Sequence, residues 1–482
     1  MNNALVKNQG DVLFYGLGLA TLVCSITAAL SQNILPMLIP VFLIAAYFVI
    51  VDFKLLYFLL IGLLAVSTEV EIPGGLSTDL PGEPIMWLMT IGYLALCLVY
   101  PKSIRIPIKN PITLLLLLHV IWILFAAFMA ERNGVAFKFF VAKVWYVIPF
   151  FFVPFVYLLD EKNIKKCLYI LFTISFVAVC YVILKHSTMG FRYDTIEKAV
   201  QPIYRNHVNY ACLLVIILPY AWGAFRWNKR GTFAFWFIIA LNVIIPLGIY
   251  LSFTRAAIGS MIIGAAAYFI LRFKLTKLAI VVSIIGAIIG LTNLVKNNTF
   301  MEFAPNYEQT ISQHDFNNLI EATAKGEDIS SMERVYRWVA GFRMVSNKPI
   351  TGFGPNNFYP TYKRYTISSF ETYVSDNPEH SGIHNYYLMT AVEQGIPGLI
   401  IFLAFCIVTL LFAERHYHRI KDVFYKNMVA AAYMSFIIIM SILIVNDLLE
   451  ADKVGPFFFL AAAFMAMSKY WVKKEQIEMQ NN

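Results

Sequence analysis

One histidine and a few arginines and lysines stand where so apolar a chain has little reason to keep them. His384 opens the stretch "HNYYLMTAVEQGIPGL", just ahead of a long apolar run. An imidazole with an ordinary pKa of about 6.5 can take a proton from a hydroxyl at neutral pH, and it can equally cap a helix start. Upstream, "SSMERVYRWVAGFRM" carries Arg334 and Arg337. Glu333 and Arg337 form an ordinary i,i+4 pair, whereas the sequence offers Arg334 no acid at that spacing. Arg255, in "LSFTRAAIGS", occupies a short turn between two apolar runs with no acid close by in the sequence. A guanidinium presents a planar fork of donors that suits a pyrophosphate, and its long stem also snorkels to a membrane surface; both roles fit Arg255. Arg205 and His207, in "PIYRNHVNYA", stand before another run as anchor or ligand. Lys143 lies about 12 Å along its run from the end opposite the basic loops, a depth at which a charge needs a partner or a wet cavity.

The elements that position these residues follow from composition. Hydrophobic residues make up 59% of the 482 and charged residues only 14%, too few to cover a water-soluble protein of this length. Apolar runs of bilayer length recur near 12–30, 33–51, 85–100, 112–130, 135–159, 167–184, 209–225, 233–253, 256–271, 278–295, 396–413, 427–446 and 455–472, with a shorter one at 54–67. In lipid every backbone polar group needs an internal partner, so these runs predict an all-α polytopic membrane protein of about 12 to 14 spans. Lysines and arginines gather in alternate connections: Lys102 to Lys109, Lys162 to Lys166, Arg226 to Arg230, Arg272 to Lys277 and Arg415 to Lys421, with Lys473 and Lys474 beyond the last run. The net charge of +9 is therefore mostly a topology signal, not one for nucleic acid, and it places both termini in the cytoplasm. The first run is expected to stay as an anchor. The six cysteines all fall within spans, in no disulfide or zinc pattern.

On the opposite side the longest connection, 296–395, divides the chain into a bundle over 1–295, an outer loop carrying site residues, and C-terminal helices over 396–482. Within the loop, Ser330 and Glu333 have capping-box spacing, and Met332, Val335, Val339 and Phe342 make a helical stripe ended by Pro349. This predicts an amphipathic helix over 331–346 on the outer surface, able to act as a lid. A second outer helix is expected over 384–395, with His384 heading a stripe through Leu388, Ala391 and Gly395 and Glu393 facing away, and with a bend at the "GIPG" of 395–398.

The residues Arg334, Trp338, Pro349, Gly352, Gly354, His384, Asn385, Gly395, Gly398 and Leu399 are similar in type and order to the pattern of the bacterial O-antigen ligase and polymerase superfamily. The turn holding Arg255 looks like that family's outer arginine, and the resemblance is specific over roughly 205–413. It implies a GT-C-like fold in the bacterial inner membrane with a periplasmic site. There a glycan would pass from undecaprenyl pyrophosphate to an acceptor hydroxyl, without metal or cofactor. His384 is then the candidate catalytic base. Arg255, Arg334, Arg205, Lys143 and Arg337 are the candidate substrate-binding cations. The acceptor is expected to be lipid A–core, as in a ligase; a second lipid-linked repeat, as in a polymerase, or a protein are the alternatives. A flippase for lipid-linked glycans is a reading of another class, and it expects more charge along the spans than Lys143 supplies.

Overall fold

The computed structural model describes residues 52–72, 76–99, 107–295, 329–367, 375 and 382–481, with scattered positions between 16 and 43. The spans expected near 12–30 and 33–51 lie mostly outside these residues, as does the polar stretch 300–328. In chain order the elements begin with α1 (Phe53–Leu63), the strands β1 (Thr68–Ile72) and β2 (Leu76–Leu80), α2 (Gly82–Val99) and α3 (Pro111–Phe128). There follow α4 (Asn133–Val147, continuing as further helical turns to Tyr157), α5 (Glu161–Ser187), α6 (His207–Gly223), α7 (Phe233–Leu251), α8 (Arg255–Arg272) and α9 (Thr276–Val295). Last come α10 (Ile329–Asn347), α11 (Tyr386–Tyr417), α12 (Val423–Ile442) and α13 (Gly455–Asn481).

The chain is the all-α polytopic membrane protein that its composition predicts. Nine helices among the described residues are long and apolar enough to cross a membrane: α2 through α8, α11 and α12. With 11 residues α1 is the short element that the sequence suggested at 54–67. One departure is the hairpin. β1 and β2 pair antiparallel with Thr68 opposite Leu80 and Glu69 opposite Asp79, where the sequence reading saw only a connection.

Helix starts are set by ordinary caps. Asn110, Asn206, Thr232 and Asp422 each accept a hydrogen bond from the first turn of α3, α6, α7 and α12. The centre of the bundle is α6, α12 and α13; every residue from Tyr210 to Ile217 and from Val454 to Met467 is buried. Around it α7, α8 and α9 turn Val243, Ile262, Ile263 and Ile288 outward, an apolar surface that suits lipid rather than water.

Short connections make successive helices antiparallel, so alternate connections collect at the same end. At one end the basic connections meet: Arg226 bonds Asn427, Thr276 bonds Glu414, and the Lys421 amide bonds Glu475. At the other end lie the hairpin, the 188–206 and 252–254 turns, α10 and the 443–454 connection, joined by Arg205–Glu69 and His384–Asp447 contacts. All the charges singled out in the sequence, Lys143 included, belong to this second end.

Candidate active site

His384 sits in a backbone conformation that a histidine seldom adopts, with φ at +55°. It precedes α11 instead of heading it, which corrects the expected helix start. Asn385 is the cap, its side chain accepting from the Leu388 amide at 2.9 Å, and the helix begins at Tyr386. Hydrogen bonds to the main chain around the histidine hold it from both sides. Arg337 Nη1 donates to the Gly382 carbonyl at 3.1 Å and Trp338 Nε1 to the Ile383 carbonyl at 3.0 Å. The Tyr386 amide donates to the Leu443 carbonyl at 2.9 Å. The strained dihedral is thus imposed by α10 on one side and the end of α12 on the other.

Those contacts reorient α10 relative to the sequence reading. Its described turns run from Ile329, so the helix reaches at least two residues further back than 331. The buried face is Glu333, Tyr336, Arg337, Ala340 and Met344, whereas Phe342 of the expected stripe is 47% exposed. The charges can be buried because they satisfy each other. Arg337 bonds Glu333 at 3.3 Å, and Glu333 also accepts from Ser375 at 2.6 Å. Arg337 therefore braces the loop before His384.

The bend expected at 395–398 is present. Gly395 has φ +72°, a conformation open to glycine, and a Cβ there would stand 2.1 Å from the Ile350 carbonyl oxygen. The "GFGPNN" turn pairs along this bend through Phe353 to Val392 and Gly354 to Glu393, and buried Glu393 accepts from the Phe358 amide at 3.3 Å.

Asp447, which the sequence reading passed over, completes the centre. Its Oδ1 is 3.9 Å from His384 Nδ1, and its carboxylate lies so close to Gly382 that a Cβ there would fall 1.9 Å from Oδ2. Burial holds the His384 pKa below the ordinary imidazole value. Asp447 pulls it back up, while Arg334 and Arg337 lower it further. The ring is thus neutral near pH 7, with a carboxylate at one nitrogen and guanidinium charge nearby. Such a group can accept a proton from a hydroxyl while cations stabilise a departing anion.

The residues matched by a family model include α8, α10 and the start of α11. Residues 240–403 match the model of the O-antigen ligase family. Among curated proteins nothing matches the chain. The matched residues contain Arg255, Arg334, Arg337 and His384, while Asp447 lies beyond them. The match supports a membrane glycosyltransferase-like enzyme of O-antigen ligase or polymerase type.

The other sequence candidates are dispersed around this centre. Arg255 is the first residue of α8, and its neighbour Thr254 bonds the His207 carbonyl at 3.4 Å. His207 itself bonds Glu197. Arg205 reaches Glu69 at 3.5 Å and is 62% exposed. Lys143 has found the partner its depth demands: its ammonium lies 2.6 Å from Glu450, whose carboxylate also accepts from Tyr386 at 2.8 Å. A sequence signal for these missed acids did exist, since "NDLLEADK" packs Asp447, Glu450 and Asp452 into one short connection between apolar runs.

Proposed function

We propose that the protein is an O-antigen ligase-type transferase that moves a glycan from undecaprenyl pyrophosphate to a hydroxyl of lipid A–core at the outer face of the inner membrane. The observation that carries this reading is His384 with Asp447 3.9 Å from its Nδ1 and the charges of Arg334 and Arg337 acting on it, at the end of the bundle away from the basic connections. By the positive-inside rule those connections are cytoplasmic, which supports a periplasmic His384 with both termini inside.

In the reaction His384 takes the proton of the acceptor hydroxyl as its oxygen bonds to the anomeric carbon. The bond from that carbon to the pyrophosphate oxygen breaks, and undecaprenyl pyrophosphate leaves with the electron pair. Asp447 steadies the imidazolium that forms, and Arg334, with Arg255 towards the membrane surface, offsets the charge of the leaving group. Arg337 and Lys143 act one step away, by fixing the loops that carry His384 and Asp447.

The test is transfer by the purified full-length protein in nanodiscs, given undecaprenyl-pyrophosphate-linked glycan and either lipid A–core or a second lipid-linked repeat. Glycan on lipid A–core with release of undecaprenyl pyrophosphate is the expected outcome. Chain extension alone would make it a polymerase, and intact donor with both acceptors would defeat the transferase reading.

A further inference from the structure

Asp447, whose carboxylate stands 3.9 Å from His384 Nδ1, also lines a cavity of about 300 Å3. Glu69 and Asp79 wall it from the hairpin, Arg205 and Asn209 from the start of α6, and Asp447 from the connection between α12 and α13. We infer that this cavity is the acceptor subsite and that it takes a neutral or amino-bearing sugar residue and turns away an acidic one. The inference rests on the transferase reading above.

Three observations carry it besides Asp447, which the cavity shares with the base. The first is unmet hydrogen-bonding capacity. The buried carboxamide oxygen of Asn209 accepts none. A polar group left so is costly unless something else meets it, and a polyhydroxylated guest offers the donor that this oxygen lacks.

The second is a local arrangement that stability alone disfavours. Glu69 and Asp79 are directly opposed across the hairpin, a like-charged pair that weakens a two-stranded ribbon. Places where local rules are broken this way tend to be functional.

The third is the balance of charge. Glu450 is tied to Lys143, Asp452 to Lys453 at 3.2 Å, and Glu69 to Arg205, so the cations nearby are engaged. Asp79 and Asp447 complete the wall without such a cation. Burial, with Asp452 next, pushes the Asp79 pKa up to about 7 against the pull of Lys453, so near neutrality its carboxyl both donates and accepts. Sugar hydroxyls suit that wall. A uronate or a phosphate would place like charge against Asp447 and the ionised share of Asp79, where water screens it poorly.

Saturation-transfer NMR on the full-length protein in nanodiscs tests this, with methyl glucoside, methyl glucosaminide and methyl glucuronide as probes and no glycoside detergent present. The first two are expected to bind, and the glucuronide at least about tenfold more weakly. Asn209→Leu, which fills the cavity, should abolish the signal, and Asp79→Asn should narrow the gap between glucoside and glucuronide. Equal binding of all three, preference for the glucuronide, absence of binding, or a signal unchanged in a folded Asn209→Leu protein would overturn it. The wild-type comparison decides even if a variant fails to fold. Binding is read without turnover, so failed transfer beside selective binding would count against the transferase reading and leave the cavity's selectivity standing.

Discussion

The Asp447 carboxylate stands 3.9 Å from His384 Nδ1, beyond hydrogen-bond reach and within the range of a strong charge interaction. It raises the affinity of the ring for a proton, while burial and the arginines lower it. Asp447→Asn removes the raising influence. The acid limb of the pH profile of kcat/KM, which tracks protonation of the base, should therefore move to lower pH, and the plateau should fall by about 10- to 100-fold as the imidazolium loses its counter-charge. A limb that stays in place would mean that His384 is not the titrating base.

Removing the opposite influence should move the limb the other way. Arg334→Gln takes away a charge that lowers the His384 pKa, so the acid limb should shift to higher pH. Arg334→Lys keeps the charge but loses the fork, so the limb should stay while kcat/KM falls about 10- to 100-fold. Arg255→Lys is expected to lower kcat/KM for the lipid-linked donor with the limb unmoved. Full activity of either lysine variant would remove that arginine from the site.

Replacing the base itself should cost about 100- to 10,000-fold in rate. His384→Ala and His384→Asn should both do so with normal amounts of protein in the membrane, and Asn tolerates the positive φ of this position. Near-normal turnover by purified His384→Asn would exclude proton transfer through the ring.

Gly382→Ala tests the closeness of the two loops. A methyl group there would meet Asp447 Oδ2 at 1.9 Å, so the carboxylate must move. Transfer should drop as in Asp447→Asn, and the double variant should be no worse than the worse single one, because both act through the same group.

Lys143→Met should act on stability before catalysis. It leaves Glu450 without its ammonium partner, although Glu450 keeps 24% exposure. The expected loss is about 1–3 kcal/mol, less than for a wholly buried pair, read as a lower melting temperature of the purified protein. Lys143→Met with Glu450→Gln should recover part of it. A single variant as stable as the wild type would mean that the pair is not what holds the 443–454 connection in place.

How much of this was legible in the sequence differs between the fold and the site. Bilayer-length apolar runs and alternating basic connections are local properties, and lipid leaves them one outcome, the helix, so the all-α bundle, the placing of His384 at the end opposite the basic connections and the bend at Gly395 could be read before any tertiary contact. The Glu393 carboxylate, expected to point away from His384, finds its partner in the Phe358 amide only because two distant loops meet. The face that α10 buries was not legible either. Hydropathy favours Phe342 and Val339, and the fold instead buries Glu333 with Arg337, because Ser375 and the Gly382 carbonyl complete their hydrogen bonds. Asp447 joins His384 across 63 residues of chain, and Lys143 joins Glu450 across 307, by helix packing that no local pattern encodes. The sequence by itself determined which residue types stand at the ends of the bundle, since burial in lipid sorts apolar from charged. Only the tertiary structure decided which charges neutralise one another and which are left to act on His384, because that depends on distances between helices far apart in the chain.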